Sequence, residues 1–146
     1  MTDTDAPGHQ ILADLSAWNA MLSRHAEVFS GVTPGSGIGI VPQADAAQRC
    51  GTMLVWERTE ADGMAAALRP YTGYAQCGVD LLFVAEDRGL NAIYAEIVAR
   101  PLDEMKAALR RGDLCMFVTK RRDDLSDAGW DELLEALGRA YIGLCR

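Results

Sequence analysis

Two histidines, His9 and His25, are all the imidazole this chain holds. Neither has a partner at metal-ligand spacing, so no zinc site and no local histidine base is written in the sequence. Cysteine is scarce too. Cys50, Cys77, Cys115 and Cys145 lie far apart and form no Cys-x-x-Cys pair, so a metal site would have to be assembled from scattered positions. Residues 1–8 have neither a basic nor an apolar stretch of the kind a secretory signal needs. Reduced, buried thiols are therefore expected rather than disulfides. Long apolar runs are missing, none nearing the roughly 20 residues of a membrane span. These absences point to a cytoplasmic, bacterial-type protein with no membrane partner.

Positive charge is short as well. Fourteen basic against twenty-one acidic residues leave a net charge of −7, which repels a phosphate backbone. Arg110-Arg111 and Lys120-Arg121-Arg122 are the two basic clusters, and Asp113 and Asp123-Asp124 follow them at once. Nucleic acid is not an expected partner.

What remains is an ordinary globular composition, 49% apolar and 24% charged. The division it suggests is a disordered tail over residues 1–8 and a single α+β domain over residues 9–146. Ile11, Leu15, Trp18, Leu22, His25 and Phe29 recur every three or four residues, predicting one amphipathic helix with His25 as a hydrogen-bonded core residue. The glycines around Pro34 follow a helix and lead into a short apolar run at 38–41. A phosphate cradle has the opposite order, strand then helix, so a flexible joint is expected here. Residues 42–49 fit a two-turn helix opened by Pro42.

Residues 52–121 carry the architecture. Their periods read as strand 52–59, helix 61–68, strand 79–85, turn 86–89, strand 91–99, helix 101–111 and strand 114–119. That order predicts a ferredoxin-like βαββαβ unit, a four-stranded antiparallel sheet with added N-terminal and C-terminal helices. Pro101, Asp103, Glu104, Arg110, Arg111 and Gly112 mark the ends of the second helix by φ and by charge. A final helix starting near Ser126 or Asp127 carries Trp130, Leu133, Leu134, Leu137, Tyr141 and Leu144 on its stripe. Two strands are apolar on both faces, so the second face of the sheet must be covered. Terminal helices over that face, with a modest dimer interface, are the expected cover.

No catalytic constellation accompanies this frame, and no cofactor or metal is implied. The candidate binding site is the loop carrying Arg69, Tyr71 and Tyr74, because tyrosine and arginine give large contact area at low entropic cost. Cys77 lies on the same connection, with nothing local to lower its thiol pKa. Glu57 and Glu96 are read as mid-strand carboxylates that face water, a partner or a pocket, with Tyr94 beside them. The function expected from acidity and uncommitted terminal helices is non-catalytic protein binding. An immunity protein, a chaperone-like accessory or a complex subunit all fit, acting on a protein partner or as a homodimer. The alternative is a small-molecule-sensing regulatory module. A small enzyme using Cys77 or the strand carboxylates is third.

Overall fold

A computed structural model describes residues 8–60, 63–120 and 122–138. Along the chain run α1 (Gly8–Ala13), α2 (Leu15–Arg24), a 3-10 turn at Ala26–Phe29, β1 (Gly37–Pro42) and α3 (Gln43–Gln48). Next come β2 (Thr52–Arg58), β3 (Met64–Pro70), a 3-10 turn at Tyr74–Gln76, and β4 (Leu81–Ala85). Then follow α4 (Asp87–Ala95), α5 (Pro101–Arg111), β5 (Leu114–Val118), α6 (Arg122–Ala128) and α7 (Asp131–Ala136). Residues 1–7 of the tail expected at 1–8, part of the helix expected at 61–68, Arg121, Tyr141, Leu144 and Cys145 lie outside the described residues.

The fold is a mixed α+β arrangement around one five-stranded sheet in the order β3-β2-β1-β4-β5. β1 runs parallel to β4, with Ile38 opposite Leu81, and the other neighbours are antiparallel. This corrects the ferredoxin-like, four-stranded antiparallel sheet predicted from sequence, and three local errors account for it.

The first is β1 itself. The segment expected to be a flexible joint forms the central strand, because its glycines serve packing rather than freedom. A Cβ on Gly39 would lie 2.5 Å from the Met53 sulfur, and one on Gly37 would lie 3.1 Å from the Trp56 carbonyl. The second is β3. Three successive alanines favour a helix, yet Met64–Pro70 pairs with β2 along seven positions. Asn19 of α2 accepts from the Ala66 N–H at 2.9 Å and so satisfies a donor on this edge strand.

The third error is α4, read as turn plus strand. Leu90, Ile93 and Ile97 fit a helical stripe as well as Ile93, Ala95 and Ile97 fit a strand, and the helical set is buried. Gly89 is not a turn residue. It lies within the helix, where a Cβ would meet the Asp113 carbonyl oxygen at 2.8 Å. The missing side chain lets α4 rest on the backbone that leads into β5.

Both terminal helices are segmented. Asp14 separates α1 from α2 and caps α2, accepting from the Ala17 N–H at 3.3 Å. The Trp18 indole then donates to the Ile11 carbonyl at 2.9 Å, supplying a partner for the end of α1. Ser126 and Asp127 sit inside α6, not at a helix start, and Gly129 (φ 92°) turns the chain into α7.

Strand alternation gives the sheet two unequal faces. Ile38, Ile40, Leu54, Trp56, Leu81, Phe83 and Leu114 point to the inner face. Buried side chains of α1, α2, α4, α5, α6 and α7 pack there in one core with Trp18, Phe29 and Trp130. Val41, Met53, Val55 and Leu82 point to the outer face, packing with Tyr71, Val79 and, from α3, Ala46. The terminal helices thus lie with the other helices, not over the second face. A single short helix and the connection at 71–80 cover that side.

Candidate functional site

The connection at 71–80 starts at the end of β3 and crosses the outer face. The Tyr71 N–H donates to the Gly51 carbonyl at 2.9 Å, and the Asp80 N–H donates to the Gly37 carbonyl at 2.8 Å. Tyr71 is buried over the outer cluster, 3% exposed, while its hydroxyl has no hydrogen-bond partner among the described residues. Burial pushes its phenol above the ordinary range, the neighbouring Cys77 adds to the shift, and Arg49 opposes it.

Gly73 adopts φ 120° and ψ 160°, a backbone region open to glycine alone, and this bend throws Tyr74 across to β5. The Tyr74 hydroxyl donates to the Val118 carbonyl at 2.6 Å, and its ring meets Phe117 edge-on with centroids 6.0 Å apart. Both rings remain nearly half exposed, 46% for Tyr74 and 45% for Phe117. Between this strap and the corner joining α3 to β2 opens a pocket of about 410 Å³, lined by Arg49, Thr72, Gly73, Tyr74 and Gln76. Arg49 caps α3 in the left-handed conformation (φ 58°) and is exposed. Its guanidinium has no ion pair or hydrogen bond among the described residues.

The residues nominated from sequence divide between the two faces. Tyr71, Tyr74 and Cys77 share the outer connection. Arg69 and Glu57 form an ion pair with each other on the same side, Arg69 as the strand partner of Met53 and Glu57 as the next outward position after Val55. Tyr94 and Glu96 are elsewhere, because the strand expected to carry them is α4. Tyr94 donates to the Asp14 carboxylate, whose hydrogen bond holds the phenol above its ordinary range, and Glu96 caps the helix. Arg49 was missed; its one signal was a charged residue at a helix end, two positions before a glycine. Thr72 and Gln76 flanked the nominated residues without being singled out.

The thiols are also not as expected. Among the described residues, Cys50 and Cys115 are free and exposed, and Cys77 is free and partly buried. His25 is not a satisfied core residue either: it caps α2, and its buried Nε2 has no partner among the described residues. Among the described residues, no group of three or more His, Cys, Asp or Glu could hold a metal ion. No described helix is long and apolar enough to cross a membrane.

A second, smaller cavity of about 160 Å³ lies at the inner face, where Leu22, Phe29, Met64 and Arg58 line it. Its volume is close to the ~150 Å³ that accommodates a benzene-sized guest. Its arginine is already engaged, donating to the Phe29 carbonyl at 3.3 Å.

No family model matches the chain, and no curated protein matches it. Two solved structures are distantly similar. One is a conserved hypothetical protein of Thermus thermophilus, described as possibly a sterol carrier protein. It is 15% identical over 96% of this chain and 90% of its own, with a TM-score of 0.42. The other is sterol carrier protein 2, 18% identical over 88% of this chain and 93% of its own, with a TM-score of 0.40. The expectation of a non-catalytic protein-binding accessory protein does not stand. The terminal helices, whose uncommitted apolar stripes supported that expectation, bury Ile11, Trp18, Leu22, Leu133, Leu134 and Leu137 in the core.

Proposed function

We propose that the protein is a small-molecule-binding module whose ligand occupies the outer pocket between Arg49 and the connection at 72–76. One observation carries this reading: unused binding capacity gathers there. An arginine with no acceptor among the described residues, a half-exposed aromatic ring and the neutral polar side chains of Thr72 and Gln76 surround about 410 Å³. Ligand pockets ordinarily span roughly 300–1,000 Å³, with few polar groups and much apolar wall. The strap at Tyr74 is pre-formed, so little ordering cost falls on the ligand. The inner cavity is a poorer candidate, being much smaller, with its cation already bonded.

The test is a thermal-shift screen of the full chain against a library of neutral, anionic and apolar compounds. A ligand at a hundred times its Kd adds about 2.7 kcal/mol of stability, a shift of several degrees for a chain this size. Hits that lose their shift in Tyr74→Ser support the reading. A library with no hit, or hits indifferent to Tyr74→Ser, removes it.

A further inference from the structure

We infer that the outer pocket takes a planar carboxylic acid, its carboxylate on Arg49 and its ring against Tyr74. This inference rests on the small-ligand reading of the same pocket and adds the chemistry of the occupant.

Charge comes first. Among the described residues, Arg49 is the sole ionised side chain lining the pocket and no carboxylate lines it, although acidic residues outnumber basic ones in the chain. Arg69, on the same face of the sheet, is committed to Glu57. A guanidinium presents paired N–H donors whose geometry matches a carboxylate. Thr72 and Gln76 add neutral donors on the opposite wall. A single cation balances a monoanion. A phosphate monoester carries nearly two charges and would need a second arginine or lysine, which the lining lacks.

Shape comes second. The Tyr74 ring cannot swing freely, because its hydroxyl is bonded to the Val118 carbonyl and its flank rests on Phe117. A ring fixed in orientation and nearly half exposed offers a platform for a second flat system, the arrangement aromatic pairs favour. Gly73 has no side chain to fill the space beside it: a Cβ placed there would find no atom within 4 Å. The pocket is therefore flat-walled, open on one side, and positive at the Arg49 end.

Saturation-transfer NMR on the full-length protein tests this with naphthoate, naphthamide and naphthyl phosphate as probes. Naphthoate is expected to bind about tenfold or more tightly than naphthamide, the equivalent of one charge-assisted hydrogen bond. Arg49→Asn should abolish that preference. Asparagine tolerates the left-handed backbone of position 49, and circular dichroism verifies that the variant is folded. Naphthamide binding as well as naphthoate, with both lost in Tyr74→Ser, overturns the acid while leaving a small-ligand site. Naphthyl phosphate binding best likewise overturns it. If all three probes fail while thermal-shift hits persist, the planar acid falls alone; if those hits are absent too, the pocket has no ligand role.

Discussion

Trp130 donates its indole N–H to the Asp80 carboxylate at 2.8 Å, a buried bond that joins the segment entering α7 to the strand end entering β4. Lys120 reaches the other oxygen of the same carboxylate at 3.4 Å. Asp80 is thereby the buried acid that fixes the last helices to the sheet. Trp56 offers the contrast: equally buried, its N–H has no partner among the described residues.

This pair makes a stability comparison. Trp130→Phe and Trp56→Phe remove similar volume, but only the first deprives a buried carboxylate of a donor. Urea unfolding should find Trp130→Phe costlier by about 1–3 kcal/mol. Equal losses would mean that the Trp130–Asp80 bond adds nothing beyond packing.

Gly129 faces a backbone wall. It has φ 92°, and a Cβ there would fall within the van der Waals envelope of the Gly31 carbonyl oxygen. Gly129→Ala should therefore cost more than the ~1–2 kcal/mol of left-handed strain alone. Gly35→Ala, at φ 90° with open space around it, supplies that reference. Chemical denaturation of the two variants should separate them clearly.

Gly39 and Met53 should be energetically coupled. Gly39→Ala pushes a methyl into the Met53 side chain across the outer face, an overpacking cost of about 1–3 kcal/mol. Met53→Ala vacates that space. The double variant should be less destabilised than the sum of the singles by about 1 kcal/mol or more. Simple additivity would show that the strand accommodates the methyl by shifting.

Asp113 sets an acid limit. Hydrogen bonds from Arg88 and then Arg111 hold its carboxyl below the ordinary range, outweighing the opposing effect of burial. The unfolded chain therefore binds this proton first. The resulting stability is present in full above the ordinary carboxylate pKa and drains away as pH falls below about 4. Unfolding free energy measured from neutral to acid pH should fall less steeply in Asp113→Asn than in the parent.

The parts of the fold legible in sequence were those decided locally. α5 announced itself because Pro101, the charged ends and Gly112 all act within one helix, and β2 and β5 because their bulky residues suit strands anywhere. β1, β3 and α4 were decided by distant partners: Met53 against Gly39, seven β2 positions against an alanine run, and the Asp113 carbonyl against Gly89. Glycine was the recurrent trap, read as freedom where the structure uses it for contact. The site followed the same rule. Tyr71, Tyr74 and Cys77 stood close in sequence and remained together, whereas Arg49 joins them through a corner that no periodicity records.

The parallel seam between β1 and β4 has a kinetic consequence. β1, β2 and β3 are neighbours in sequence and zip by short hairpin-like steps, but β4 reaches its slot only after all the chain from Pro42 to Leu81 has been routed around them. Closing so long a loop costs entropy before it returns contacts, making this the slow event of folding. The two walls of the outer pocket straddle that seam, Arg49 on the early side and Tyr74 moored to β5 on the late one. A ligand bound there would act as a latch: it would lengthen the lifetime of the assembled state by retarding its opening, without hastening its formation.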